Sequence, residues 1–180
     1  MSDELACMMA AIRLQESGGN YNAYNPGSGA AGAYQFTTGT WQSTLAAAGL
    51  GGYIGQYPSA HYAPAWLQDA AARWLMYSYY TRWHNWEFVA RAWYGGPGSV
   101  NHPEWGGGPG YPNVGQYGQQ VMAKFYNCGG TNLVSSPGPG IPDPMTIGPY
   151  VDAVNAFNTI KWWDGVGTPF ESATIASSAW

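Results

Sequence analysis

Helical patterns in this chain are short, and most of them run into glycine, at Gly18, Gly49, Gly95-Gly96 and Gly129. Glycine takes the left-handed conformation that ends a helix without steric cost. That punctuation restricts the chain to short helices joined by tight loops. The first pattern covers residues 2–17, with Ser2 as N-cap and Asp3 and Glu4 at the positive end of the helix dipole. Its Leu5, Met9 and Ile12 recur at steps of four and three and form one apolar stripe, and the next step of four lands on Glu16. A second pattern, 38–48, stops at Gly49. The third begins near Pro64, a residue suited to a first helical turn, and runs through Leu67, Ala71, Trp74, Leu75 and Ser78 to about Arg82. Asn85 caps a fourth whose Phe88, Val89, Ala92 and Trp93 share one side, and Tyr117, Val121, Met122 and Phe125 mark a fifth. Residues 18–32 read as a small hairpin or irregular lobe turning at Asn25-Pro26-Gly27, and residues 97–112 as a Gly/Pro loop.

The expected architecture is therefore mainly α with a small β element, in one domain over residues 1–130. Residues 131–149, which contain Pro137-Gly138-Pro139-Gly140, read as a Gly/Pro/Ser-rich linker. Residues 150–180 read as a docking segment; Val151, Val154, Phe157 and Trp162 hint at an amphipathic helix too short to fold alone.

Composition excludes several classes of function. Only 9% of residues are charged while Trp and Tyr number 10 and 14, the reverse of a disordered chain. A net charge of −4 speaks against a nucleic-acid binder. No stretch reaches the roughly 18 apolar residues of a membrane span, and the acidic start Met1-Ser2-Asp3-Glu4 does not resemble a secretory signal. His61, His84 and His102 share no metal-ligand spacing with one another or with the cysteines, so neither metal nor cofactor is expected. Cys7 and Cys128 lie near the two ends of the main domain. They are either two buried thiols or a disulfide closing a loop of roughly 120 residues, worth ~4–5 kcal/mol in the chain-entropy model.

Glu16 is the residue with a chemical signature. It continues the apolar stripe, so its carboxyl group projects from the buried face, and it sits at the negative end of the helix dipole. Both effects raise a carboxyl pKa, desolvation the more strongly. A glutamate moved from ~4.3 toward ~6 keeps a protonated fraction able to donate to a leaving glycosidic oxygen. The competing reading is a surface glutamate paired with Arg13, three residues back.

Glu16-Ser17-Gly18-Gly19-Asn20-Tyr21, then Gly32-Ala33-Tyr34-Gln35-Phe36 with Thr40-Trp41, then Ala92-Trp93-Tyr94-Gly95-Gly96-Pro97-Gly98, form an ordered set. This set resembles the motifs of the lysozyme-like superfamily, in particular the lytic transglycosylase domains and the resuscitation-promoting factors, over roughly residues 3–127. The resemblance implies a lysozyme-like fold and cleavage of the β-1,4 bond between N-acetylmuramic acid and N-acetylglucosamine in peptidoglycan. It implies Glu16 as the single catalytic acid and base, and Gln35, Tyr94 and Tyr117 as groups that orient the sugar and Glu16. Ser17 and Tyr34, from the same motifs, become further substrate contacts. Tyr94 stands where the family carries an asparagine. No other Asp or Glu follows Glu16 until Asp69, so the two-carboxylate arrangement of most glycosidases has no candidate at short spacing. With one carboxylate, the sugar's own 6-hydroxyl can close a 1,6-anhydro end; water in its place gives a hydrolytic muramidase.

Two other classes compete. One is a cysteine amidase or endopeptidase, using Cys7 with His84 or His102. The other is a glycan-binding or structural module without chemistry. Peptidoglycan lies outside the cytoplasm. The expected carriers are a phage particle, with residues 150–180 docking to other virion proteins, or a secreted bacterial autolysin.

Overall fold

The computed structural model describes residues 4–130, and the linker and docking segment expected over 131–149 and 150–180 lie outside the described residues, as do Ser2 and Asp3. The first helix, α1 (Glu4–Ser17), buries Leu5, Met8, Met9 and Ile12 and ends where Gly18 takes a φ of +64°. Helix α2 (Thr38–Ala47) starts under the Thr37 side chain, which accepts from the Thr40 amide. It closes with a Schellman arrangement: Gly49, at φ +72°, donates to the Ala46 carbonyl, and the Leu50 amide donates to Leu45. Helix α3 (Ala65–Trp83) follows Pro64 and is the most deeply buried, with Leu67, Ala71, Met76 and Tyr80 all in the core. It stops at a non-glycine residue, His84, at φ +49°. Helix α4 (Trp86–Gly95) is capped by the Asn85 side chain. Helix α5 (Val114–Asn127) opens with a capping box between Asn113 and Gln116 and ends in a second Schellman turn at Gly129 and Gly130. Packing runs α4 on α5, α5 on α1, α1 on α3 and α3 on α4, with α2 against α3.

The β structure is divided between two places. In the lobe after α1, Ala31 bridges both Tyr24 and Phe36, and the Asn25 carboxamide accepts from the Gly27 amide at 3.0 Å to form the turn. The only two-stranded sheet among the described residues is β1 (Gly106–Gly108) with β2 (Tyr111–Asn113), antiparallel with Gly106 opposite Asn113 and Gly108 opposite Tyr111. This corrects the reading of 97–112 as a plain loop. Three glycines carry no side-chain alternation, so the strand is visible only in its backbone pairing. The hairpin is seated by backbone bonds from Val114 to Trp105 and from Gly115 to Pro103. Gly115 must be glycine, since a Cβ there would lie 2.9 Å from that of Pro103.

Cys7, in α1, is bonded to Cys128, at the end of α5, with the Cα atoms 5.5 Å apart. A cysteine nucleophile at residue 7 is thereby removed from the possible chemistries. The same two helices are also linked at the far end of α1, where Lys124 donates to the Gln15 carboxamide oxygen at 2.7 Å and Gln15 donates to Gln120 at 2.8 Å. No helix among the described residues is long and apolar enough to cross a membrane, and no group of three metal-ligating side chains converges there.

Candidate active site

The last turn of α1, the 32–36 turn, the start of α2 and the end of α4 surround a cavity of about 420 Å³. Glu16, Gln35, Thr40, Trp93 and Tyr94 are among its walls, and Glu16 is the only acidic side chain lining it among the described residues. One face of Glu16 is closed by α5. Tyr117, buried there, donates its hydroxyl hydrogen to Glu16 Oε1. Burial raises the Glu16 carboxyl from its ordinary 4.5 to about 7, against the opposing pull of the Tyr117 hydrogen bond. Near neutral pH the group is therefore divided between its acid and base forms, as a residue that must give and then recover a proton requires.

Arg13 is not the partner of Glu16. Its guanidinium turns away to the Tyr21 hydroxyl at 2.5 Å and to Asp69 at 3.4 Å. That corrects the surface ion-pair reading and leaves desolvation uncompensated by a cation.

The remaining predicted residues divide. Tyr94 stacks on Tyr117, with ring centroids 4.5 Å apart and planes 16° from parallel, and donates its hydroxyl to the Pro112 carbonyl at 2.7 Å. It forms part of the cavity wall while tying the hairpin to α4. Its pKa is raised by burial and then by Glu16, and that of Tyr117 lies well above the ordinary value for the same reasons, so both rings remain neutral donors. Gln35 also lines the cavity, at φ +51°, a left-handed conformation that costs a non-glycine residue about 1–2 kcal/mol. Its side chain donates to the Gly32 carbonyl at 3.0 Å within its own turn.

Tyr34 and Ser17 lie behind the cavity wall. Tyr34 is fully buried and donates to Asp69 at 2.6 Å, on the core side of the turn that presents Gln35. Ser17 donates to the Ala33 carbonyl at 2.8 Å and accepts from the Gly19 amide, so its hydroxyl staples one loop to the next. Neither lines the cavity. Sequence reasoning also passed over Asn25 and Trp93 as cavity walls, having placed them in a turn and on an apolar helix face. Nothing in their local pattern separates those roles.

Fold and cavity together define a lysozyme-like, mainly helical domain that sets one acid at the end of its first helix opposite a glutamine-bearing turn. Comparison with known proteins gives the family: the chain belongs to the transglycosylase SLT domain family, whose model matches residues 4–106. It is similar to the proteins named probable transglycosylase SceD of Staphylococcus aureus strains Newman, USA300 and COL, each 51% identical over 61 residues. The matched stretch covers 34% of this chain and 24% of each relative, so the chain spans about a quarter of the length of the curated relatives it matches. No solved structure matches it.

Proposed function

We propose that the domain is a peptidoglycan lytic transglycosylase in which Glu16 serves as both acid and base. The observation that carries this reading is a single carboxyl group, poised near neutrality, in a cavity with no second acid among the described residues. In the first step Glu16 gives its proton to the glycosidic oxygen and the bond from that oxygen to C1 of N-acetylmuramic acid breaks. The developing oxocarbenium centre is met by the 2-acetamido oxygen of the same sugar, which takes the place of an enzymic nucleophile. Glu16, now a carboxylate, removes the proton of the 6-hydroxyl as that oxygen bonds to C1 and displaces the acetamido oxygen, which returns to its neutral amide, leaving a 1,6-anhydro end. Tyr117 steadies the carboxylate between the two steps, because a hydrogen bond from a neutral hydroxyl favours the charged form. Gln35 and Tyr94 orient the sugar from either side.

The reaction belongs at the cell wall, outside the cytoplasm. Detection of the chain in purified phage particles by mass spectrometry would assign it to a virion. Recovery from the medium of phage-free cells would assign it to a secreted autolysin.

Glu16→Gln keeps the shape and removes the transferable proton. Loss of general acid–base assistance costs ~10²–10⁴ in rate and more where one residue acts twice. Lysis of purified sacculi is expected to vanish in this variant while glycan binding and fold persist. Mass spectrometry of the wild-type digest is expected to show muropeptides one water lighter than hydrolysis products. Reducing ends alone would replace the 6-hydroxyl by water and make the protein a muramidase. Lysis by the Gln variant would remove Glu16 from the chemistry.

A further inference from the structure

We infer that Asp69, with Gln68 beside it, is a positioning group that holds Gln35 toward the cavity through Tyr34; this rests on the reading of the Glu16 cavity given above. Asp69 lies on α3, is only 8% exposed and does not line the cavity. Its carboxylate accepts from the Tyr34 hydroxyl at 2.6 Å, from the Tyr21 hydroxyl at 2.8 and 2.9 Å, and from Arg13 at 3.4 Å.

Each of these partners belongs to a segment that forms the site. Tyr34 immediately precedes Gln35, Arg13 is one turn before Glu16 on α1, and Tyr21 is in the loop that leaves α1. Gln68 completes the hold. Its carboxamide oxygen accepts from the Ala33 amide at 2.9 Å, and its nitrogen donates to the carbonyls of Tyr21 at 3.0 Å and Ala63 at 2.9 Å. Gly32, at φ +77°, lets the turn approach this side chain so closely that a Cβ there would stand 2.3 Å from the Gln68 oxygen.

A partly buried ion pair with hydroxyl donors, such as Arg13 with Asp69, is a weak source of stability, because desolvation consumes much of its attraction. Its better-attested use is to select one conformation among several. The conformation selected here is visible at Gln35, whose left-handed backbone persists only where the surroundings impose it. Asp69 and Gln68 impose it from behind, gripping residues 33 and 34 while residue 35, its carboxamide on the Gly32 carbonyl, lines the cavity.

The test is a double-mutant cycle on the full chain, with turnover and KM measured on solubilised glycan strands. Asp69→Asn keeps the volume of the side chain and replaces one acceptor oxygen by a donor. It is expected to lower kcat about ten- to a hundredfold, the scale of an ångström-sized misplacement, with KM changed much less. In a Gln35→Ala background the same substitution is expected to lower kcat no more than about twofold, since the group it positions is gone. Equal fold losses in both backgrounds would overturn the inference. If Asp69→Asn does not fold, Tyr34→Phe, which removes only the hydroxyl link, is taken through the same cycle with the same two outcomes. Lysis surviving in Glu16→Gln would strike the reading of the acid and leave the Asp69–Gln35 coupling to be judged by its own cycle. A wild-type chain with no turnover at all would shift the cycle to glycan affinity, where non-additive losses support the coupling and additive losses reject it.

Discussion

At Glu16 the sign of the pKa shift links the proposed proton transfer to stability. Burial moves the folded-state value from the ordinary 4.5 up to about 7. Between those two values the folded chain binds more protons than the unfolded one, so stability falls as pH rises through that window. The penalty is absent below the unfolded value and complete above the folded one, at roughly 3 kcal/mol. Glu16→Gln cannot ionise and escapes it. The variant is expected to be more stable than wild type by about 2–3 kcal/mol at pH 8 and nearly equal to it at pH 4; urea denaturation at the two pH values checks this, and a pH-independent difference would contradict the shift. Glu16 was legible because helical spacing fixes which side of α1 it occupies. The placing of Tyr34 behind the cavity was not legible for a related reason: the 32–36 turn sets Tyr34 toward the core and Gln35 along the cavity, and a motif cannot say which side is which. Asp69 was legible only as the first acidic residue after Glu16, too far along the chain to suggest a paired carboxylate. Its hydroxyl and guanidinium ligands stand 35 to 56 positions away in sequence, a relation that no local pattern records.

At the scale of elements, helices were readable where glycine, proline or an asparagine cap marks the boundary, as at Gly18, Gly49, Pro64 and Asn85. The β1–β2 hairpin was not, because its first strand is three glycines and its existence depends on partners elsewhere in the chain. One of those partners is the Tyr94 hydroxyl on the Pro112 carbonyl. Tyr94→Phe keeps the ring stacked on Tyr117 and deletes only that tie, a net loss of about 1 kcal/mol. Amide hydrogen exchange over residues 106–113 is expected to quicken about fivefold in this variant, with α1 and α3 unaffected. Unchanged exchange would mean that the backbone bonds to Trp105 and Pro103 hold the hairpin alone.

Across the whole molecule the site is assembled from segments far apart in the chain: α1 supplies the acid, the lobe after it the glutamine, α4 the tyrosine of the wall, and α5 the hydroxyl behind the acid. What keeps α1 and α5 in register is partly covalent, for the Cys7–Cys128 bond closes a loop whose formation is worth about 5 kcal/mol in the chain-entropy model. The same bond has a topological meaning. It brackets nearly all the described residues, so any single cut between its ends leaves the two pieces joined. Among the described residues the most exposed aromatic side chain is Tyr111, 74% accessible on the hairpin, and within the bracketed stretch a protease with a taste for aromatic residues is expected to nick there first. Such a nicked chain should run as one band on a denaturing gel without reductant and as two bands with it. Two bands in both lanes would show the bridge to be open. In a medium rich in proteases, a domain built this way can be cut and still keep Glu16, Gln35 and its two tyrosines in one molecule.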